Sequence, residues 1–358
     1  MTQDGPRASR ARALSLERLR PAARPPSAAG AGPAADGAAQ SRPAWRPLAA
    51  AASPDFWANW TVVIALGILC LVFGIGTSQF LAAANVESVL SEAAVLMIMA
   101  VGQSYVVLTA GIDLSQAAVL TVAAVFLGEA VTHGLGIGVA CLVAVAGGLA
   151  AGLLNGLVIA KGRITDFIVT LGALGVASGI ALVLTSGTPT QITDAFLLRL
   201  STGRVGPAYY PFLVAVAIVL AGQWVLFRTR FGVHVLATGG SRDAARAMGV
   251  HVDRVRVAVY AISGFLIGVA AVLYTARIGA AEPAPDTTLL LDGIAATVLG
   301  GVSLFGGRGT IVAPAVGAIL LTALQNGLTL MSISQFYEPL VVGLVVVAAA
   351  ALMRYQRS

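Results

Sequence analysis

Ten runs without a charged side chain organise this sequence: 60–76, 93–110, 114–128, 134–160, 167–184, 205–227, 257–276, 293–307, 309–337 and 339–353. A helix needs about 20 apolar residues to cross the hydrocarbon of a bilayer, and fewer where neighbours cover its ends. The pattern therefore predicts an all-α polytopic membrane protein of about ten transmembrane helices, some short or broken. The run 114–128 starts beside Asp113, and 293–307 ends in Gly306-Gly307-Arg308-Gly309. Irregular backbone at membrane depth is tolerated only where protein or a water-filled cavity surrounds it. Such breaks point to a transport path.

The links between runs give a direction. Arg and Lys accumulate on the cytoplasmic side of a membrane. Eight arginines precede residue 60, Lys161 and Arg163 follow the fourth run, six arginines lie in 228–256, and Arg354 and Arg357 end the chain. With all four regions inside, four crossings precede Lys161, two more precede Arg228 and four follow Arg256. Both termini are then cytoplasmic, and 293–307 must count as a crossing.

Composition agrees with a lipid solvent. The 358 residues are 58% apolar and 11% charged, against about 25% charged in a soluble domain, and mean hydropathy is +0.88. The net charge of +6 is scattered, unlike the concentrated basic surface that binds nucleic acid. Residues 1–59 differ: they hold eight of the 15 prolines, and this mix reads as a disordered cytoplasmic tail. Within it, Arg7 to Arg20 has the composition of a basic surface helix, and no secretory signal pattern occurs. A transmembrane domain over 60–353 and a cytoplasmic tail over 354–358 complete the plan. Cys70 and Cys141 lie in apolar runs and read as small packing residues.

Recognisable reaction chemistry is missing from the sequence. A P-loop needs Gly-x-x-x-x-Gly-Lys-Ser/Thr, and the one lysine, Lys161, is followed by Gly162. His133, His234 and His251 lack metal-ligand spacing, and no Gly-x-Ser-x-Gly elbow is present. What remains is polar chemistry inside the runs: Asp113 in Gly111-Ile-Asp-Leu-Ser115, Asp292, and the pairs Asn155-Gly156 and Asn326-Gly327. A carboxylate in lipid faces a cavity or a partner, and an amide can bind a hydroxylated solute. Helix-to-helix hydrogen bonding with glycine allowing close approach serves the asparagines equally, and caps or clamps serve the aspartates. Leu154-Asn-Gly-Leu157 matches Gln325-Asn-Gly-Leu328, which predicts two pseudo-repeated lobes of inverted direction.

The segment 228–256 predicts a helix of about two turns. Ser241 can cap it, Asp243 suits its first turn and Gly249 suits its end. Ala244, Ala245 and Met248 form a small apolar face beside Arg242 and Arg246. Such a helix fits a partner's groove, and an ordinary positive loop on the membrane fits the same residues.

From about 60 to 353 the chain resembles the sugar-importer permeases of the ATP-binding-cassette superfamily, the ribose, xylose and galactoside type. The pieces are Leu108-Thr-Ala-Gly-Ile-Asp-Leu-Ser115, Asn155-Gly156, Phe167-Ile-Val-Thr-Leu-Gly172, Thr229-Arg-Phe-Gly232 leading to Ala244-Ala245 and Gly249-Val250, and Leu291-Asp-Gly-Ile-Ala-Ala296 with Gly300 to Gly309 and Asn326-Gly327. The resemblance implies a homo- or heterodimer of permeases in lipid of the bacterial inner membrane. It further implies a separate ATPase subunit that holds ATP and Mg, and an extracytoplasmic solute-binding protein. No cofactor or metal is implied in this chain. It makes 228–256 the coupling loop, with Ser241, Arg242, Ala244, Ala245, Arg246, Met248 and Gly249 meeting the ATPase. It places Asp113, Ser115, Asn155, Thr170, Asp292 and Asn326 along the pathway of a small polar solute, a monosaccharide. The chain departs from the family pattern at Ala110, where a glycine is usual, at Leu290 in place of Glu, at Val233-His234, and at Ser241 in place of Asn. A permease for branched-chain amino acids or nucleosides, or an ion-coupled transporter using Asp113 and Asp292, are the other readings.

Overall fold

The computed structural model describes residues 54–355. The tail expected over 1–59 lies outside the described residues as far as 53, and the end of 354–358 does so from 356. Each of the ten uncharged runs holds a helix: α1 (Pro54–Gly76), α2 (Ala83–Leu108), α3 (Gln116–Thr132), α4 (Ile137–Gly162), α5 (Asp166–Thr185), α7 (Tyr210–Arg228), α10 (Val252–Ile278), α11 (Thr287–Leu299), α12 (Val312–Leu330) and α13 (Glu338–Tyr355). Between them lie the short α6 (Ala195–Thr202), α8 (Arg230–Gly240) and α9 (Arg242–Ala247). Among the described residues six helices, α2, α4, α5, α7, α10 and α12, are long and apolar enough to cross a membrane. The chain is a polytopic, essentially all-α membrane protein, and helix length supports fewer independent crossings than the ten runs predict.

The two broken runs become short helices for visible reasons. Before α3, residues 111–115 leave the helical path. After α11, Gly301 takes φ +76° and turns the chain away. Two-residue ladders, Thr190–Gln191 with Ala280–Ala281 and Arg204–Val205 with Ala208–Tyr209, tie the links at one end.

Helix α2 is the axis of the bundle, buried without interruption from Ala93 to Leu108 and packed by α7, α10, α11 and α12. Beside it, α4 and α10 meet along a glycine seam. Gly148, Gly152 and Gly156 recur every fourth residue on α4 and face Gly264, Tyr260 and Val257. A Cβ at Gly152 would stand 2.3 Å from the Tyr260 carbonyl oxygen, and one at Gly264 would stand 2.3 Å from that of Gly148. In lipid, where apolar burial drives little, such backbone contact supplies the van der Waals attraction that holds helices together.

Candidate functional site

The break between α2 and α3 is a non-helical strip, residues 111–115, whose side chains go two ways. Asp113 and Ser115 turn toward α4 and α10, while Ile112 and Leu114 line a cavity on the other side. The Asp113 carboxylate accepts from the Ser115 amide at 2.9 Å and the Ser115 hydroxyl at 2.6 Å, and from Ser263 of α10 at 3.4 Å. Asn155 of α4 donates to the Ser115 hydroxyl at 2.9 Å, and Gln116 donates to Ser263 at 3.0 Å. All five residues are buried. The set satisfies its members internally, as an intramembrane polar cluster must. It clamps α3, α4 and α10 around the break. Thr170 of α5 is near but separate: its hydroxyl bonds the Asp166 carbonyl at 2.9 Å and the Ile112 carbonyl at 3.3 Å.

At the Leu108 end of α2 three segments converge. The Gly307 amide donates to the Leu108 carbonyl at 2.9 Å. A Cβ at Gly239 of α8 would stand 1.8 Å from that same oxygen, so only glycine fits. Arg242, the first residue of α9, donates to the carbonyls of Thr109 at 3.4 Å and Ala110 at 3.2 Å, and lies 3.9 Å from the Asp166 carboxylate. Asp166, in the first turn of α5, also pairs with the buried Arg256 of α10. The guanidinium of Arg242 thus binds the carbonyl end of α2, where a positive charge is favoured, and ties α9 to the break.

Helix α9 is short, and its cap is as expected: Ser241 accepts from the Ala244 amide at 3.3 Å. Gly249 takes φ +83° and ends the turn. The expected apolar face is divided. Ala245 is buried against the fold, whereas Ala244 is exposed and Met248 is 84% exposed. Arg246 is paired along the surface with Asp243 and Asp253. Arg242, Arg246 and Asp253, with Arg163 and Arg256, border an open cleft of about 750 Å³ at this end.

The second repeat lies toward the opposite end of α2. Asp292 of α11 accepts from Gln325 of α12 at 2.8 Å, and its other oxygen is buried without a partner among the described residues. Asn326 and Asn85 exchange amide bonds at 2.9 and 3.1 Å. Asn85 lies in the first turn of α2 and Leu108 ends it, about 35 Å apart along a helix at 1.5 Å per residue. The six predicted pathway residues therefore form two groups and a singleton rather than one continuous line. In both repeats the glycine after the asparagine lets another helix approach: a Cβ would stand 2.9 Å from the Val257 Cα at Gly156 and 2.6 Å from the Phe73 ring at Gly327.

A family model described as branched-chain amino acid transport system / permease component matches residues 85–350. The chain belongs to that permease family. It is 36% identical to the ribose import permease of Escherichia coli (strain K12) over 296 residues, covering 80% of this chain and 91% of the relative. The ribose import permease of Bacillus subtilis (strain 168) is 35% identical over 297 residues, with 81% and 91% covered. The autoinducer 2 import system permease of Photorhabdus luminescens is 30% identical over 295 residues, with 81% and 88% covered. In this permease the partners of the predicted residues were the part that sequence reading missed. Asp166 and Arg256 marked the edges of uncharged runs, and their pairing across 90 positions has no local signature. Gln103, Gln116 and Ser263 were legible only as isolated polar residues in or beside apolar runs.

Proposed function

We propose that this chain is the membrane-spanning subunit of an ATP-driven importer that carries a sugar across the bacterial inner membrane. The relatives it matches over most of their length are named for import of ribose and of autoinducer 2. The sequence holds no P-loop, so ATP and Mg bind on a separate ATPase, and a binding protein delivers solute from outside. Ten crossings, both termini inside, and a second permease copy complete the assembly.

The observation that carries the mechanism is the seat of Arg242. It joins the exposed helix α9 to the carbonyls of Thr109 and Ala110, at the break between α2 and α3. The ATPase grips α9 through Ala244 and Met248. Its closure pulls α9, and Arg242 carries that displacement to the break, so that the lobes exchange inward for outward access. The equilibrium shifts only by the difference in ATPase and solute affinity between the two states. The buried polar set around Asp113 moves as one clamp.

Proteoliposomes holding this chain, its ATPase and its binding protein should take up labelled ribose only with internal ATP. Met248→Asp alters an exposed side chain, and Arg242→Glu opposes Asp166. Both should leave insertion intact and separate ATP hydrolysis from uptake, with uptake falling at least tenfold. Uptake by the chain alone on an ion gradient would instead establish the ion-coupled reading. Full uptake in both variants would remove α9 from coupling.

A further inference from the structure

Most intramembrane polar side chains of this protein have a partner. Asp113, Ser115, Gln116, Asn155 and Ser263 bond one another, and Asn85 bonds Asn326. Gln103 does not fit this economy. It lies on the most buried stretch of α2, is 1% exposed, and its carboxamide oxygen has no hydrogen-bond partner among the described residues. It borders a cavity of about 250 Å³, together with Ile112, Phe167, Ile294, Thr297 and Leu304. The Thr297 hydroxyl on that wall already donates to the Gly293 carbonyl at 2.9 Å. The rest of the named wall is apolar.

We propose that this chamber is a solute subsite, in which Gln103 receives a sugar hydroxyl and the apolar wall takes the C–H face of the ring. A small cavity lined by apolar groups with one placed polar group is the usual form of a small-molecule site. An amide can both accept from and donate to a hydroxyl. The volume lies just below that of ligand pockets, which run from about 300 Å³, and so suits a monosaccharide rather than a larger glycoside. The position is also apt for passage. Ile112 and Phe167 border both this chamber and the arginine cleft beside α9. They stand as an apolar partition between a central subsite and the end where Arg242 reaches Thr109 and Ala110. The proposal rests on the sugar-import reading, and it moves the contact residue away from Asp113, Ser115 and Asn155, which border neither cavity.

The test uses the complete transporter in proteoliposomes, with labelled ribose and its monodeoxy analogues as probes. A site built to bond a hydroxyl rejects the analogue that lacks it, because its own buried group is left unpaired. The wild type is expected to discriminate at least tenfold against one analogue at saturating binding protein. Gln103→Met keeps the volume and removes the polar group. It should bring that ratio near one while ATP hydrolysis stays stimulated by loaded binding protein. In a background with Cys70→Ala and Cys141→Ala, Gln103→Cys should be shielded from a methanethiosulfonate reagent by ribose. An unchanged discrimination ratio in Gln103→Met, or Gln103→Cys labelling indifferent to ribose, overturns the subsite while leaving sugar import standing. A wild-type assembly that moves no sugar overturns both.

Discussion

At Ala110 the backbone takes φ +56°, in the left-handed region where an L side chain costs roughly 1–2 kcal/mol. This is where the related permeases usually carry glycine, and the resemblance alone gave no reason for it. The reason is geometric: the chain must leave α2, receive Arg242 on its carbonyl and make room for Gly306, whose Cβ would stand 2.7 Å from the Ala110 amide. Glycine has greater freedom to lose on folding, about 0.4–1 kcal/mol, which offsets part of the relief. Ala110→Gly should therefore stabilise the protein by about 0.5–1 kcal/mol. A thermal melt in detergent reads this directly, and a lowered midpoint would mean that the methyl group packs more usefully than its strain costs. The same neighbourhood shows what residue-level reading could reach. Asp113 and Asn155 were visible as out of place in lipid, Ser115 entered through the resemblance, and the structure brings those three together. Arg256 read only as one of six arginines in 228–256 and Asp166 drew no reading, because a pairing between α5 and α10 leaves no trace in either segment alone.

Elements were the most legible level, since ten uncharged runs became ten helices among the described residues. Boundaries moved outward where charged residues join the helix: α10 starts at Val252, five residues before its run, and includes Asp253, Arg254 and Arg256. The short ladders are two residues each and α6 is only eight with Arg199 inside it, so neither formed an uncharged run. Which helices touch was harder still: close approach by glycine was read only at Asn155-Gly156 and Asn326-Gly327, and the seam of Gly148, Gly152 and Gly156 came from the structure. Gly152→Ala puts a Cβ 2.3 Å from the Tyr260 carbonyl oxygen, and backbone cannot rotate aside. We expect a loss of about 1–3 kcal/mol, the usual cost of overpacking, seen as a lower melting temperature and poorer recovery of folded protein. Gly175→Ala on α5 is the control, because nothing lies within 4 Å of its Cβ position. Alanine there should gain up to about 1 kcal/mol from helix propensity. A loss at Gly175 would instead reveal a neighbouring subunit packed on that face.

For the whole molecule, the arginines and the contacts together define two ends. The ion pair of Arg204 with Glu87 and that of Arg277 with Glu92 place the links around α6 and Ala280–Ala281 near the start of α2. Arg242 on the Thr109 and Ala110 carbonyls places α9 at its finish. Lys161, Arg163, Arg228, Arg230, Arg242, Arg246, Arg254 and Arg256 gather at the α9 end, whereas Arg199, Arg204 and Arg277 stand at the other. Positive side chains resist translocation, so the α9 end should be cytoplasmic, within reach of an ATPase. Single cysteines in a Cys70→Ala, Cys141→Ala background test this. Val205→Cys and Ala284→Cys, both at exposed positions, should react with an impermeant maleimide in intact cells. Lys161→Cys and Met248→Cys, also exposed, should react only after permeabilisation. Labelling of Met248→Cys from outside would invert the molecule, and no cytoplasmic ATPase could then hold α9. Labelling of Val205→Cys from both sides would show a mixed orientation, which the gathering of positive charge at one end opposes.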